Sequence, residues 1–414
     1  MDKPKPYAIP KWLVYTAYER VKANHGAAGV DGESLRMFEE DLKNNLYKIW
    51  NRMSSGSYFR PPVKAVEIPK KSGGVRILGV PTVADRIAQM VVKLTFEPLV
   101  EPVFHPDSYG YRPGRSAHDA LAQTRQRCWR YDWVLEFDIK GLFDNIPHDL
   151  LMKAVRKHTD NPWVLLHIER WLVAPLQRAD GSQEPRTRGT PQGSVISPVL
   201  ANLFLHYAFD VWMSRRHADK PFERYADDAV VHCRSHAAAA ALKEDLARRL
   251  AECGLELHPT KTRIVYCQDD DRRGTYPETS FDFLGYTFRP RRSKNRHGKY
   301  FINFTPAVSN AALTAMRQTV HEWRLHLQVS RTITDLARQY NPIVRGWMQY
   351  YGRFYPSALY PLLRHVNRAL VRWVKRKYKK LAKHTRRAGH WLGGVAQREP
   401  HLFTHWQRVR PTAR

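Results

Sequence analysis

Alternating and helical patterns of apolar residues divide the first third of the chain into short predicted elements. Within residues 58–78, two β-rich runs flank the basic, glycine-containing segment 70–74, which predicts a hairpin. Within residues 81–100, apolar residues recur at helical spacing behind the candidate capping residues Thr82 and Asp85. We therefore expect a basic β-hairpin followed by one or more helices.

Strands and helices then alternate closely up to residue 265. In chain order, the pattern predicts a strand at 133–139, a helix from His148, a long apolar helix at 197–213, strands at 222–225 and 229–233 joined by a turn, a helix between Ser235 and Gly254, and a last run at 255–265. The order of strand, helix, hairpin, helix and strand is typical of a split βαβ sheet with helices on one face.

Beyond Asn310 the pattern is helical almost throughout. Predicted helices cover 311–327, 333–340, 343–354 and 358–381, and they are dense in Arg, Lys, Trp and Tyr. From Thr385 the sequence is rich in Gly, Arg, His and Trp without clear periodicity. We expect a second, all-helical domain with a basic surface, followed by a basic tail.

The charge balance points to a polyanionic partner. Lys and Arg number 68 against 39 Asp and Glu, a formal net charge of +29. Nucleic acid fits better than a membrane, because binding phosphates with cations releases condensed counterions. A soluble protein with a basic surface and no such partner is the alternative, and 12% aromatic residues argue against a solvated, disordered chain.

Cysteine spacing and hydropathy indicate the compartment. Four cysteines are widely separated, without the paired spacing of zinc or redox sites: Cys128, Cys233, Cys253 and Cys267. No stretch of eighteen consecutive apolar residues occurs, and the polar start of the sequence leads us to expect no signal peptide. We expect reduced thiols, a cytoplasmic location in a bacterial cell, and no membrane partner.

Three carboxylates carry the candidate chemistry. Asp138 lies in the predicted strand 133–139, and Asp227 with Asp228 follows 89 residues later in a predicted hairpin turn. Magnesium prefers oxygen ligands, and two such ions close together stabilise both the attacking hydroxyl and the leaving pyrophosphate of nucleotidyl transfer.

An Asp-Asp turn alone has a purely structural explanation, because Asp is common in hairpin loops. Here the two acids lie between apolar, half-buried strands, where adjacent negative charges are costly without cations. Together with Asp138, this context favours a metal site.

Eight ordered blocks resemble the reverse transcriptase family, specifically the bacterial group II intron-encoded reverse transcriptase and maturase. The blocks are GAAGVDG from Gly26, IPKKSGGVRILGVP from Ile68, DSYGYRPGRSAHDA from Asp107, FDIKGLFDNI from Phe137, RGTPQGSVISPVLANLFL from Arg188, YADD from Tyr225, GLELHPTKT from Gly254 and FDFLGYTF from Phe281. The resemblance covers nearly the whole chain. It implies an α+β, right-hand polymerase fold.

The resemblance also implies an organisation and a set of site residues. It implies fingers and palm over 1–300, a helical thumb or maturase domain over 301–380 and a basic tail over 381–414 without an endonuclease domain. Asp138, Asp227 and Asp228 would be catalytic and would hold two Mg²⁺ with the backbone carbonyl of Ile139. The nucleotide would contact Lys70, Arg76, Phe143, Gln192 and Lys261, and primer and template would contact Tyr225, Arg112, Arg115 and Gly193. Intron RNA would contact Arg345, Arg353, Lys375 and Arg376 of the thumb.

Each of these roles has a simpler alternative. The hairpin with Lys70 and Arg76 is otherwise a solvated basic loop, Phe143 a packing residue, and residues 190–194 a Pro-Gly turn with a helix cap. Arg112 and Arg115 would otherwise only position a phosphate backbone. Aromatics at helical spacing in the thumb are more often core residues, so we expect Trp347 and Tyr350 to pack.

The resemblance implies RNA-directed DNA synthesis coupled to splicing and retrohoming of a group II intron. Its partners would be that intron RNA, an RNA template with a DNA primer, deoxynucleoside triphosphates, target DNA and a second copy of the chain. Two alternatives stay open: a maturase acting mainly as a splicing cofactor, and a domesticated reverse transcriptase in phage defence or DNA repair. Many relatives carry a His-Asn-His endonuclease module whose cysteine pairs are missing here, so we expect no cleavage of the second strand.

Overall fold

A computed structural model describes residues 5–69, 74–272 and 274–411 as a mixture of helices and strands. The helices are α1 (Lys11–Lys22), α2 (Leu35–Glu40), α3 (Leu42–Ser54), α4 (Val83–Val100), α5 (Ala117–Cys128), α6 (Leu142–Asn145), α7 (His148–Arg156), α8 (Pro162–Leu172), α9 (Ser197–Leu205), α10 (Val211–Arg216), α11 (His236–Glu252), α12 (Asn310–Glu322), α13 (Ile333–Tyr351), α14 (Tyr360–Lys377) and α15 (Thr385–Arg398). The strands are β1 (Val63–Pro69), β2 (Val75–Val80), β3 (Trp133–Asp138), β4 (Leu176–Gln177), β5 (Gln183–Glu184), β6 (Phe222–Tyr225), β7 (Asp228–Cys233), β8 (Arg263–Tyr266), β9 (Phe281–Phe283), β10 (Tyr286–Lys294) and β11 (Tyr300–Val308).

The chain divides into two compact units. Unit 1 contains Met1–Ser116 and Leu135–Arg263, and unit 2 contains Ala117–Val134 and Ile264–Arg414. The predicted boundaries at residues 300 and 380 stay a prediction. All four cysteines are buried and free of disulfides. None of the helices in the described residues combines the length and apolar character that crossing a bilayer requires.

The predicted basic hairpin forms at β1 and β2 of unit 1. The two strands pair antiparallel from Lys64 opposite Val80 to Pro69 opposite Val75. Their connection includes residues 70–73, which lie outside the described residues. Strand β1 also pairs with β4 in parallel, so the hairpin belongs to a sheet in the order β2, β1, β4, β5.

The acidic hairpin of unit 1 also forms as predicted. Strands β6 and β7 pair antiparallel with Tyr225 opposite Asp228, and β7 lies between β6 and β3. Helix α11 follows β7 with Ser235 as its cap, the hydroxyl accepting from the backbone N–H of Ala238 at 3.1 Å. This arrangement brings the end of β3 and the β6–β7 turn into one sheet.

The long apolar helix predicted at 197–213 is interrupted. Helix α9 ends at Leu205, a π-helical turn spans His206–Asp210, and α10 continues from Val211. Arg249 of α11 donates to the carbonyl oxygens of Ala208 and Tyr207 at 3.0 and 3.1 Å. The wider turn is therefore stabilised from a neighbouring helix, which the hydrophobic pattern does not reveal.

Unit 2 contains a long hairpin that the sequence pattern missed. Strands β10 and β11 pair from Tyr286 opposite Val308 to Lys294 opposite Tyr300, with β9 on the other side of β10. The sequence of this segment predicts only a short run at 281–288. The outer half of the hairpin is charged and half-exposed, so it lacks the alternation that marks a strand.

The helical part of unit 2 differs from its prediction, most of all at two places. The predicted break between 340 and 343 is wrong, because α13 continues through Pro342, with Tyr340 and Val344 buried on its inner face. The tail read as aperiodic contains α15, whose Leu392 joins Trp373 and Trp406 in one buried cluster. Tertiary packing outweighs the local helix-breaking signals in both segments.

A buried histidine in the C-terminal segment gives a test of this packing. His405 is fully buried, and its Nε2 donates to Oδ1 of Asn367 at 2.7 Å. Burial lowers the pKa of His405 to about 3, against an unfolded value of about 6.5. Below pH 6.5 the unfolded chain takes up a proton that the folded one rejects, so His405 makes stability fall as the pH falls.

The His405→Gln variant should therefore lose less stability than the wild type between pH 7 and pH 5. The difference is at most about 1.4 kcal/mol per pH unit, measured by urea denaturation followed by tryptophan fluorescence. Substituting the exposed His401 by Gln is the matched control and should leave the pH dependence unchanged. Equal slopes for wild type and His405→Gln would contradict the assignment.

Candidate active site

One cavity in unit 1 contains two of the three predicted carboxylates. Asp138 ends β3, Asp227 lies in the β6–β7 turn, and both line a cavity of about 670 Å³. The prediction that these side chains, distant in sequence, lie together is consistent with this shared lining. Asp228, the first residue of β7, is more exposed and does not line the cavity.

The turn that carries Asp227 has an unusual backbone. Ala226 has a φ of 58°, in the left-handed region that costs energy for a residue with a Cβ atom. That conformation reverses the chain between Tyr225 and Asp228, which face each other across the hairpin. Asp227 therefore lies in the turn and Asp228 begins β7.

The three carboxylates influence one another electrostatically. Burial raises the pKa of Asp227, and the nearby charge of Asp138 raises it further. The pKa of Asp228 is raised to about 7, first by desolvation and then by the charges of Asp227 and Asp138. A cluster of this kind favours bound cations.

Lys261 supplies a cation to this cluster. Its Nζ contacts Oδ2 of Asp138, and this bond is the main reason that the pKa of Lys261 is raised, with smaller effects from Asp228 and Asp227. Within the described ranges, no three His, Cys, Asp or Glu side chains are arranged to hold a metal ion as they stand. The donor chemistry suits Mg²⁺, while Lys261 contacts the carboxylate that an ion would need.

The backbone around Asp138 is fixed by the segment that leads to Lys261. The carbonyl oxygen of Asp138 accepts from the N–H of His258 at 2.8 Å, and Lys140 N–H donates to the carbonyl oxygen of Glu256 at 2.9 Å. Ile139, predicted to offer its carbonyl, lies between these bonds and lines the cavity. Residues 256–261 thus hold the end of β3 in place.

Three more residues predicted to contact the nucleotide also line the cavity. Arg76 Nε donates to Oε1 of Gln192 at 2.5 Å, and Gln192 Nε2 donates to Oδ2 of Asp144 at 3.1 Å. Phe143 is 8% exposed at the cavity wall. Lys70 lies outside the described residues, so its predicted role is not located.

Close packing between two segments of the chain requires a glycine at position 193. Its φ is 109°, and a Cβ there would lie 2.6 Å from the carbonyl oxygen of Gly79 in β2. Gly79 N–H donates to the Gln192 carbonyl at 2.7 Å, and Ser194 Oγ donates to Gln89 at 2.8 Å. The loop that carries Gln192 is therefore fixed on both sides.

Arg112 and Arg115, predicted to contact primer or template, differ in their surroundings. Arg112 is buried, pairs with Glu101 at 2.7 Å and donates to the carbonyl oxygens of His105 and Ser108, each at 2.7 Å. Its guanidinium is engaged inside the protein, which argues against the predicted template contact. Arg115 is exposed, with its guanidinium 5.9 Å from the centre of the Tyr109 ring.

The predicted RNA contacts of unit 2 lie mostly on its surface. Arg345, Arg353 and Arg376 are exposed, whereas Lys375 is half-buried and donates to Oγ1 of Thr385 at 2.8 Å. Trp347 packs as expected, stacked on Trp323 with a 6° angle between the rings. The three arginines can meet a phosphate, and Lys375 also ties α14 to α15.

Two arginines and a tyrosine near the site were missed by the sequence interpretation. Arg186 and Arg188 line the cavity, and Arg188 Nη2 donates to the carbonyl oxygens of Asn145 and Gly254 at 2.9 and 3.0 Å. Tyr111 has its pKa raised, mainly by burial and then by the charge of Asp227. Basic residues directly before the 190–194 loop were the available signal.

Family comparisons agree with the geometry. The family described as "Reverse transcriptase (RNA-dependent DNA polymerase)" matches residues 68–288, and "Group II intron, maturase-specific domain" matches 313–391. The first match includes Asp138, Asp227 and Asp228. The second covers the helices α13 and α14, whose exposed arginines were predicted to bind RNA.

Curated relatives match over different lengths. Protein YkfC of Escherichia coli (strain K12) is 29% identical over 360 residues, 77% of this chain and 90% of that protein. The group II intron-encoded protein LtrA of Lactococcus lactis subsp. cremoris is 35% identical over 204 residues, 48% of this chain and 33% of LtrA. Telomerase from Candida albicans, solved with a telomeric RNA fragment, gives a TM-score of 0.46 at 12% identity, over 91% of this chain and 69% of that one.

These findings confirm the predicted resemblance and the α+β fold class with a helical C-terminal region. They support an RNA partner, and the family is generally dependent on a metal ion. The chain spans about a third of the length of LtrA. By its two domain matches, the chain belongs to the reverse transcriptase family and carries a group II intron maturase-specific domain.

Proposed function

We propose that this chain copies RNA into DNA at the cavity of unit 1 and binds a group II intron RNA to assist its splicing and retrohoming. The observation that carries the proposal is the shared cavity, whose lining includes Asp138 and Asp227 together with Arg76 and Gln192. Carboxylates and a guanidinium in one cavity suit a triphosphate held through metal ions.

The metal-binding role falls to the carboxylate cluster. Asp138, Asp227, Asp228 and the carbonyl of Ile139 would hold two Mg²⁺, which when bound lower the pKa of the primer hydroxyl and neutralise the triphosphate. Burial and then the charges of Asp227 and Asp138 raise the pKa of Asp228, and this supports the fit, because bound cations stabilise the charged carboxylates.

The remaining residues of the cavity bind and orient the substrates. Arg76 offers a guanidinium fork to the triphosphate, and Gln192, already bonded to Arg76, presents its amide beside it. Phe143 provides a flat wall beneath the sugar, where a 2'-hydroxyl would collide. Tyr225 would lie beneath the primer terminus. These contacts favour deoxynucleotides in one orientation.

Lys261 is proposed to carry a proton to the departing pyrophosphate. It lies on Asp138 through a charged hydrogen bond, with a raised pKa, and is therefore protonated at neutral pH. Entry of the triphosphate offers it a second anion at the same site. The side chain is 58% exposed, which leaves it room to move between the two.

Polymerase activity on a primed RNA template tests the proposal. Purified protein is mixed with an RNA template, an annealed DNA primer, four deoxynucleotides and Mg²⁺, and extension is followed on a denaturing gel. Full-length complementary DNA is expected, and chelation of Mg²⁺ should stop it. An inactive protein that still accelerates intron splicing would instead identify a maturase acting as a splicing cofactor.

The intron partner needs a separate measurement. Self-splicing of a group II intron RNA taken from the DNA flanking the gene should be faster with the protein than without it. Polymerase activity without any flanking intron would favour a domesticated reverse transcriptase in defence or repair.

A further inference from the structure

A buried arginine lies directly before the catalytic turn. Arg224, the residue preceding Tyr225, is 1% exposed, and it faces Asp210, which is fully buried. Arg224 Nε donates to Oδ1 of Asp210 and Nη2 donates to Oδ2, both at 2.7 Å. The guanidinium therefore holds the carboxylate with two parallel bonds, the geometry that fixes orientation as well as charge.

The same guanidinium reaches the turn itself. Arg224 Nη1 donates to the carbonyl oxygen of Ala226 at 3.1 Å and to Oδ1 of Asn202 at 3.0 Å. Ala226 is the residue in the left-handed conformation. A bond to its carbonyl restrains the peptide that connects Ala226 to Asp227.

A second segment holds the turn from the other side. Asn202 Nδ2 donates to the carbonyl oxygen of Gly110 at 2.7 Å. A Cβ on Gly110 would lie 2.4 Å from the backbone nitrogen of Ala226, so the two backbones are in direct contact. Arg224 N–H also donates to the Asp107 carbonyl at 2.9 Å. Segment 107–110 and helix α9 thus both hold the β6–β7 turn in place.

We propose that Arg224, held by Asp210 and Asn202, is a positioning residue that fixes the β6–β7 turn so that Asp227 faces Asp138. This inference rests on the proposed function and adds a requirement to it. Arg224 touches neither substrate nor metal and acts through the peptide of Ala226.

Energetics favour this role over simple stabilisation. The free energy of desolvating two buried charges offsets much of their electrostatic attraction. Such a pair therefore stabilises a fold no better than apolar residues of similar size. A strained, non-glycine turn persists only when its surroundings restrain it. The network supplies that restraint at the peptide next to the proposed metal ligand.

The position of Asp210 in the chain also supports a positioning role for Arg224. Asp210 is the last residue of the π-helical turn His206–Asp210, and π-helical turns are frequent near functional sites. Asp210 ends that turn fully buried, with both carboxylate oxygens on Arg224. The interruption between α9 and α10 is thereby connected to the catalytic turn.

Arg224→Lys is the informative variant, because it keeps the charge and removes the fork. We expect kcat for primer extension to fall roughly 10- to 100-fold, since a displacement of about 1 Å at a catalytic group has an effect of that size. The KM for deoxynucleotides should change less than about threefold, because Arg76 and Gln192 are untouched. Mn²⁺ binding to the protein alone, followed by electron paramagnetic resonance, should weaken several-fold.

Two further variants separate positioning from folding. Asn202→Ser keeps the Arg224–Asp210 pair and removes the connection to Gly110, and it should lower kcat by a smaller factor with weaker Mn²⁺ binding. Val164→Ala removes a buried side chain from α8 and calibrates the effect of lost stability alone. If Arg224→Lys does not fold, Asn202→Ser carries the test.

The outcomes are distinct. Folded Arg224→Lys and Asn202→Ser variants with wild-type kcat and wild-type Mn²⁺ binding would overturn the inference, as would losses no larger than those of Val164→Ala. A wild-type protein without polymerase activity would count against the proposed function instead, and Mn²⁺ binding would then still decide whether Arg224 positions the turn.

Discussion

Asp227→Asn is expected to lower the rate of complementary DNA synthesis by roughly 1000-fold or more. The amide keeps the shape of the side chain but loses the negative charge that a divalent cation requires, and residues acting as one catalytic unit show losses of this order. The measurement is single-turnover extension of a primed RNA template at saturating Mg²⁺. Binding of the template should be unchanged or slightly tighter, because an anion near phosphates has been removed.

The control for this variant is Asp219→Asn. Asp219 is exposed, lies near the start of β6 and pairs only with the neighbouring Lys220 among its described contacts. The Asp219→Asn substitution removes the same charge outside the cavity. It should leave the rate of complementary DNA synthesis within about twofold of wild type. An Asp227→Asn variant with more than a tenth of wild-type activity would show that this carboxylate is not a metal ligand.

Template affinity is expected to fall about 10³-fold or more between roughly 50 and 200 mM salt, if 6 to 10 phosphates are contacted. The physical cause is the release of counterions as the cations of a chain with a net charge of +29 bind phosphates. Arg364, Arg368 and Arg372 are exposed along one face of α14 at helical spacing. Replacing one of them by Gln should reduce the slope of log affinity against log salt by about 1.

Fluorescence anisotropy with a labelled RNA template annealed to a DNA primer measures these slopes. Arg248→Gln is the matched control, since Arg248 is 71% exposed on α11 but already paired with Asp245. Its slope should stay close to that of the wild type. Equal slopes for wild type and an Arg364, Arg368, Arg372 triple variant would exclude this face as the place where phosphates bind.

Elements with strong local signals were predicted well. The β6–β7 hairpin combines short apolar runs with an acidic turn, and the β1–β2 hairpin has Gly and Lys between two β-rich runs. In both, the residues that determine the structure are neighbours in sequence. Asp138 and Asp227 belong to elements of one predicted split βαβ sheet, which is consistent with their lining one cavity.

Elements that depend on distant contacts were missed. Pro342 indicated a break, yet Asn341 bonds to Leu402 and Thr404, and the buried face of α13 keeps the helix continuous. The buried face of α15 consists of Ala388, Gly389, Leu392, Val395 and Ala396, so most of its residues are small and give a weak hydrophobic signal. Neither segment reveals its partner from its own residues.

The arginines near the site also show that contacts between distant residues cannot be predicted from local sequence. Arg112 and Arg115 stand in one motif and look equivalent in sequence, yet only Arg115 is exposed, because Arg112 is bonded to Glu101. The sequence places Arg224 in a predicted strand and gives it no special role, since no neighbouring residue indicates Asp210 as its partner. Side-chain type identifies a charge, and only the fold decides whether that charge faces a ligand or another residue.

The contact between Gly110 and Ala226 restricts which sequences this architecture can accept. Because backbone atoms occupy the place of a side chain at position 110, even a methyl group there would push the hairpin tip outward. A glycine at 110 is therefore required by a stretch of backbone more than a hundred residues away in the sequence. A library that randomises the segment around position 110 should return glycine there in nearly every active clone.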